Sequence, residues 1–191
     1  TETDRLLLLE RHLISRELMS GSNEKAVVIS DREIISIMIN EEDHLRLQVL
    51  QSGFNLTEAW AMLAQVSDEL EKNLRAAFLP GWGYLTACPT NVGTGMRASC
   101  MLHLPCLVMT RQINRVLNAI SKLGLTARGL YGEGTDATGN FFQLSNQVTL
   151  GISEEETVDS LERLIGQVVQ QEEAARRALL AQSRQAVEDR I

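Results

Sequence analysis

The strongest constraint on how this chain can fold lies near its start, where strand-forming segments follow one another with no helix between them. Lys25–Ser30 and Glu33–Asn40 (AVVIS, EIISIMIN) are rich in Val and Ile, and only a short polar SDR turn separates them. β-branched side chains suit a pleated surface, so the two segments are expected to be antiparallel strands. A third strand is expected over Leu45–Leu50. From Asn55 to Phe78 the pattern changes to a period of 3.6, with Leu56, Trp60, Leu63, Val66, Leu70, Leu74 and Phe78 on one stripe. That is an amphipathic helix, stopped by PGWG at Pro80–Gly83.

The remaining segments follow the same logic. Thr1 or Thr3 can cap a short helix over Asp4–His12, with Leu6–Leu9 as its apolar side. SGSNEK reads as a loop. Gly83–Cys88 and Arg97–Leu104 are expected strands, on either side of a Gly-, Thr- and Asn-rich loop at Pro89–Gly95. Pro105 starts a helix that runs to about Leu123 and closes on Gly124. Strands are expected over Thr126–Tyr131 and Phe141–Thr149, separated by GEGTDATGN. Ser153 and Glu156 form a capping box that opens the last helix. Its apolar stripe passes through Val158, Leu161, Leu164, Ile165 and Val168, and beyond Gln171 it turns polar, as if projecting from the core. About six strands, mostly antiparallel, with long helices inserted between them, make an α+β fold rather than a doubly wound α/β sheet. One domain is the economical reading.

Composition excludes several classes. Of the 191 residues 44% are apolar, enough for a sizeable core, so disorder and fibrous classes are ruled out. No apolar run approaches the roughly 18 to 20 residues of a membrane helix, and the longest, Met101–Met109, is broken by His103 and Pro105. TETDRLLLLE has neither a basic start nor a small-residue cleavage site. A soluble, cytoplasmic protein is expected, possessing no membrane attachment. The net charge of −7 and pI near 5.0 argue against nonspecific nucleic-acid binding. Fifteen of the 18 basic residues are Arg. Either codon bias explains this, or some act as fixed forks for phosphate or carboxylate. Cys88, Cys100 and Cys106 fit no zinc or CxxC spacing and are expected to be reduced. Cys100, Cys106 and His103 lie among apolar neighbours and are expected in the core.

Three segments place charges and glycines where a plain fold would not need them. NEEDHLR (Asn40–Arg46) gathers ionisable side chains at the end of an apolar strand, either as a solvated turn or as carboxylates for a cation or a proton. CPTNVGTGMRAS (Cys88–Ser99) offers backbone N–H groups and Arg97 to an anion, or is simply a tight inter-strand loop. ARGLYGEGTDATGN (Ala127–Asn140) offers Arg128 and then Glu133. Together they supply three arginines suited to a polyphosphate and paired carboxylates suited to a guanidinium.

The segments ERHLIS (Glu10–Ser15), SIMINEEDHLRLQ (Ser36–Gln48), GYLTACPTNVGTGMRASCMLHLP (Gly83–Pro105) and RGLYGEGTDATGNFFQLSNQVTLG (Arg128–Gly151) resemble the ATP:guanido phosphotransferases, most closely the bacterial protein-arginine kinases. The resemblance implies an α+β catalytic domain, an antiparallel sheet flanked by helices of the glutamine-synthetase-like kind. It implies that Glu42 grips the acceptor guanidinium and acts as general base, with Glu133 as its partner, and that Cys88 is the reactive cysteine. Arg46, Arg97 and Arg128 resemble the phosphate ligands of ATP, and His12 sits where the family contacts ATP. Ala98, Ser99, Cys100 and Met101, with Gly129, Leu130, Tyr131, Gly132 and Glu133, resemble stretches lining the nucleotide. Mg²⁺ is implied to arrive on ATP, with no metal cage of protein ligands.

The implied function is transfer of the ATP γ-phosphate to arginine side chains in proteins, linked in bacteria to protein quality control and degradation. Implied partners are proteins with exposed arginines, an activator or adaptor, and a second copy in the full-length protein. Met101, where small-molecule relatives carry His, favours a protein acceptor. Residues 1–191 are expected to be a catalytic domain lacking the family's upstream arginine-rich segment and a downstream dimerisation domain. This leaves two alternatives open: a kinase for a free guanidino metabolite such as arginine, and a non-catalytic nucleotide- or phosphoarginine-binding module.

Overall fold

The computed structural model describes residues 1–20, 24–129, 138–182 and 184–185. The chain divides into two compact units, Thr1–Gly95 and Met96–Ile191.

In the first unit Thr1 caps α1 (Glu2–Glu10) through a capping box with Asp4. The helix ends with His12 in the left-handed region, φ 58°. The His12 N–H bonds the Leu9 carbonyl and the Leu13 N–H bonds that of Leu8, a Schellman closure made without glycine. Ser15 then caps α2 (Arg16–Met19), accepting from the Leu18 N–H at 3.0 Å. Strands β1 (Ala26–Ile29), β2 (Ile35–Ile39) and β3 (Leu45–Val49) form an antiparallel meander in that order, as the Val/Ile segments predict. Register places Ser36 opposite Gln48 and Met38 opposite Arg46, so these four share one face. That face is covered by the N-terminal segment: Ile14 and Leu18 pack on fully buried Met38, with Leu8, Leu9 and Val27 around them. The Ile35, Ile37 and Leu47 face lies on the side of helix α3 (Leu56–Glu71), which packs on β3.

Helix α3 stops seven residues short of the predicted Phe78. Phe78–Leu79 (β4) instead pairs with Gly83–Tyr84 (β5), Phe78 opposite Tyr84. PGWG is therefore a hairpin connection rather than a helix stop, and Gly81 and Gly83 take φ of 86° and 77° there. Only the first two residues of the expected strand Gly83–Cys88 are extended in a sheet. A Cβ on Gly83 would lie 2.3 Å from the Gly93 carbonyl oxygen, so two loop backbones meet where no side chain fits.

The second unit is a three-stranded antiparallel sheet in the order β6 (Ser99–His103), β8 (Phe141–Asn146), β7 (Leu125–Gly129). Leu102, Phe142 and Leu144 are buried on one face. Between β6 and β7, the single helix expected from Pro105 is two: α4 (Pro105–Met109) and α5 (Ile113–Ser121). Arg111 separates them at φ 59°. Its N–H bonds Val108 and the Gln112 N–H bonds Leu107, a second Schellman closure without glycine. Gly124, φ 84°, follows α5 as expected.

The last helix, α6 (Glu154–Gln182), opens on the predicted Ser153/Glu156 capping box. Its stripe Val158, Leu161, Leu164, Ile165 and Val168 is buried, but burial does not stop at Gln171: Glu172 is 4% exposed and Ala175 6%. The Glu172 carboxylate accepts from the backbone N–H of Cys106 and of Leu107, each at 2.9 Å, with Arg176 at 3.9 Å. It caps the first turn of α4, whose own N-cap residue, Leu104, has no side-chain acceptor. The polar stretch thus joins the core packing through Glu172 and Ala175, and from Arg176 to Gln182 it is exposed apart from half-buried Leu179. Burial pushes the Cys106 thiol pKa up, and the adjacent Glu172 charge adds to it.

Removing that carboxylate strands two buried donors. Glu172→Ala is expected to cost about 1–3 kcal/mol in a urea unfolding series, and Glu172→Gln, which keeps one acceptor, clearly less. Equal stability of Glu172→Ala and the native chain would show that the carboxylate does not hold α4.

Candidate active site

The turn between β2 and β3 sorts Asn40, Glu41, Glu42 and Asp43 by what each one touches. Asn40, at φ 56°, bonds the Glu24 carbonyl through its side chain and the His44 carbonyl through its own N–H, both at 3.0 Å. Asn tolerates this left-handed conformation better than most residues. Asp43 accepts from the Ala87 N–H at 2.6 Å, tying the turn to the residue just before Cys88. The Glu41 side chain is only 2% exposed. It accepts from Arg46 Nη1 and from the Glu42 N–H, each at 2.9 Å, and is bonded by the Ser15 hydroxyl. Burial by itself raises the Glu41 pKa. The Ser15 hydroxyl, the Arg46 charge and the Glu42 N–H together outweigh it, so the carboxyl sits below its ordinary 4.5. Of the three carboxylates only Glu42 is exposed, and its carboxylate is unheld among the described residues.

Arg46 is half-exposed, 49%, and uses one nitrogen on Glu41. A guanidinium has five N–H donors, so the same side chain can hold Glu41 and a phosphate oxygen together. His12 is exposed; its carbonyl accepts from the Gln48 side chain, two residues along β3 from Arg46. The Schellman closure therefore sets His12 over the strand that carries Arg46.

In the loop after β5, Cys88 precedes a 3₁₀ turn at Pro89–Asn91. Its sulfur lies 2.9 Å from the Thr90 hydroxyl, and its carbonyl accepts from the Thr86 hydroxyl at 2.7 Å and the Asn91 N–H at 3.0 Å. The backbone donors of Ala87, Asn91, Val92 and Gly93 are all spent within the unit. Of the two readings open for this segment, anion cradle or tight inter-strand loop, these bonded N–H groups fit the tight loop in this part.

In the second unit β6–β8–β7 presents a face opposite its core. Met101, Gln143 and Arg128 form one row across the three strands, by register, and Ser99 lies one step along β6. The Gln143 amide donates to the Ser99 hydroxyl at 2.9 Å. Arg97 and Ala98 lie just before β6. There Asn146, buried, accepts from the Ala98 N–H at 2.8 Å and donates to the Met96 carbonyl at 3.0 Å, fixing the backbone on either side of Arg97. Gln143 and Asn146 were not singled out in the sequence. Their signal is polar residues interrupting an apolar strand, FFQLSN.

Cys100 alternates to the core side of β6, opposite Leu144; burial raises its thiol pKa, and its side chain does not join the Ser99–Met101 face. His103 is exposed, not in the core, and stacks on Phe141 at 4.7 Å with the rings 23° apart. β6 alternates, and His103 follows Met101 onto the outer face. Gly129 ends β7 opposite Phe142, and Leu130, Tyr131, Gly132 and Glu133 lie outside the described residues. Among the described residues no group of three or more His, Cys, Asp or Glu could hold a metal ion, and no helix is long and apolar enough to cross a membrane.

The site can be compared with known proteins. The family model described as ATP:guanido phosphotransferase, C-terminal catalytic domain, matches residues 1–175. The chain belongs to that family. It is 57% identical over 188 residues to a protein-arginine kinase of Desulforamulus reducens, covering 98% of this chain and 53% of that protein. The match to a protein-arginine kinase of Symbiobacterium thermophilum is 55% over 191 residues, covering 100% and 54%. The chain thus spans about half the length of the curated relatives it matches. Among solved structures, the duplicated taurocyamine kinase of Schistosoma mansoni with bound transition state analog components superposes with a TM-score of 0.77 at 30% identity, covering 90% of this chain and 25% of that one. A lombricine kinase gives 0.80 at 27%, covering 93% and 52%. The α+β fold, antiparallel strands flanked by helices, is that of the guanidino kinases.

Because the folded Glu41 pKa is depressed, its contribution to stability is present above pH 4.5 and lost as pH falls through the lowered value. Glu41→Gln is expected to destabilise the chain at neutral pH, with the difference from the native protein shrinking as the solution is acidified towards about pH 3. Denaturant unfolding at several pH values reads this. A difference constant with pH would remove Glu41 as the charged anchor.

Proposed function

We propose that this chain is the catalytic domain of a kinase that transfers the γ-phosphate of ATP to the guanidinium of arginine side chains in proteins. The observation that carries the reading is the sorting of the NEED carboxylates. Glu41 and Asp43 are bound into the structure, and Glu42 is left exposed on a turn tied to the Cys88 loop. The names of the longer relatives, at 50–57% identity over about half of their length, support the protein acceptor.

A guanidinium keeps its proton to above pH ~12 and is a poor nucleophile. Glu42, with Glu133 as second carboxylate, would grip it by paired hydrogen bonds and point one nitrogen at the γ-phosphorus. As the N–P bond forms, the proton on that nitrogen passes to the Glu42 carboxylate. The P–O bond to the β-phosphate breaks and ADP leaves. Arg46, Arg97 and Arg128 would neutralise the phosphate oxygens. Ser99, Met101 and Gln143 offer a polar and apolar face for the nucleoside, with His12 as a further contact. Cys88, whose sulfur approaches the Thr90 hydroxyl, lies beside the guanidinium position. Mg²⁺ bound to the nucleotide would supply further charge neutralisation.

A bacterial cytoplasmic setting, protein quality control, an activator or adaptor and a homodimer of the longer protein all belong to this reading. A second reading has support of its own, because the solved neighbours are named for small acceptors, taurocyamine and lombricine.

The test is γ-labelled Mg-ATP with an unfolded arginine-rich protein and, separately, free arginine. Acid-labile label on protein is expected, since P–N bonds break in acid. Glu42→Gln should lower turnover by about 10² or more with ATP affinity retained. Label on free arginine alone would establish the second reading, and ATP binding with no label on either would leave a binding module. Native-like turnover of Glu42→Gln would overturn its assignment as base.

A further inference from the structure

Every residue from Glu71 to Trp82 is exposed, an unusual state for a stretch containing Leu74, Phe78, Leu79 and Trp82. Phe78 and Trp82 are each 56% exposed, and Leu79 and Leu85 each 48%. Scattered apolar residues on a surface need no explanation, but four on one two-stranded hairpin do. The hairpin is firmly built. The Trp82 N–H bonds Leu79 at 3.0 Å, the Leu85 N–H bonds Ala77 at 2.7 Å, and the Phe78 and Tyr84 rings meet edge to face at 5.3 Å. The Tyr84 hydroxyl bonds Glu71. Rigid aromatic side chains on a rigid turn lose little entropy when something covers them.

Two observations say what would cover it. The hairpin runs without a break into the guanidinium-gripping parts: Tyr84 bridges to Gly93 across the Cys88 loop, and Ala87, two residues after Leu85, bonds Asp43 of the NEED turn. The hairpin and the turn that carries Glu42 are thus joined by one short, hydrogen-bonded connection, and a polypeptide held at Glu42 has the hairpin as its adjoining apolar surface on that side. The charge points the same way. Thr1–Gly95 carries fourteen acidic against eight basic residues, a net of −6 out of the chain's −7. An acidic surface with an apolar projection matches a chain that is cationic at one residue and apolar at its neighbours.

We propose that the β4–β5 hairpin docks the apolar side chains flanking the target arginine of an unfolded polypeptide. Phe78, Leu79 and Trp82 contact the flanks while Glu42 takes the guanidinium. This rests on the protein-kinase reading above and adds a preference to it. Apolar side chains next to an arginine are buried in folded proteins and exposed in unfolded ones, so the hairpin selects the unfolded form.

The test uses the full chain and two labelled, unstructured peptides with one central arginine, flanked by Leu and Phe in one and by Ser and Gly in the other. Binding is read by anisotropy and phosphorylation by acid-labile label. The native chain is expected to bind the apolar peptide more tightly. Phe78→Ser with Trp82→Ser should weaken that binding about tenfold or more and leave the Ser/Gly peptide unchanged. Leu79→Ser should act in the same direction, and Trp82→Phe should bind like the native chain. Equal affinity for the two peptides, or equal losses for both in the variants, overturns the proposal whether or not the peptides are labelled. Hairpin-dependent binding with no label on any peptide supports the docking surface and counts against the kinase reading instead.

Discussion

A carboxylate that is 2% exposed must lose its charge or be surrounded by donors, and Glu41 is surrounded from three separate parts of the first unit. Ser15 reaches it from the cap of α2, Arg46 from β3, and the Glu42 N–H from the turn itself. The charge thus ties the N-terminal segment to the edge of the meander at the point where Met38, Ile14 and Leu18 pack. The apolar contacts there are non-directional and would tolerate small shifts. The hydrogen bonds to Glu41 are not, and they fix the direction in which the next residue, Glu42, leaves the turn. Positioning one exposed carboxylate therefore depends on burying its neighbour.

The second unit follows the same rule with different residues. Asn146 uses a neutral amide to hold the backbone on both sides of Arg97, and Glu172 uses a charged group to hold the start of α4 directly after β6. β6 is thus pinned at both ends by buried polar side chains from elements far away in sequence. Between those pins the strand alternates, giving Leu102 to the core and Ser99 and Met101 to the outer face. A strand free to slip by one residue would exchange the two sets, so register is what separates the outer-face side chains, those proposed to meet the nucleotide, from core ones.

Much of this was legible in the sequence, and the rest was hidden for identifiable reasons. The Val/Ile runs and the short turn were sufficient for the meander, and the Ser153/Glu156 box for the start of α6. The ends of helices were misread where the usual punctuation is missing. His12 and Arg111 close α1 and α4 in conformations that normally call for glycine, at about 1–2 kcal/mol each, so no local signal marked the break at Arg111. Helix α3 ends early because Phe78 has a cross-strand partner in Tyr84, a tertiary contact that periodicity cannot see. Glu172 looked like solvated surface because its partners are backbone N–H groups some 65 residues away. In the NEED turn the sequence showed that carboxylates gather. Which of them stays exposed is decided by Ser15 and Arg46, at a distance in sequence. Resemblance had already singled out Glu42.

An overall charge of −7 is an odd starting point for a chain proposed to bind a polyphosphate, and the distribution of the charge resolves it. Nearly all of the excess lies in the first unit, and the second is close to neutral, with Arg97 and Arg128 on or beside one sheet face. At physiological ionic strength charges are screened over about 8 Å. Close to that face the two arginines set the local charge, which the net charge of the chain does not describe. Of the three arginines proposed for phosphate, only Arg46 belongs to the acidic unit, and it is held there by Glu41. Once that pair is formed, the turn keeps both the uncompensated charge of Glu42, for the acceptor in the proposed reaction, and the spare donors of Arg46, for phosphate in the same proposal. Acceptor and donor can then be bound by neighbouring groups of opposite sign that do not neutralise each other first.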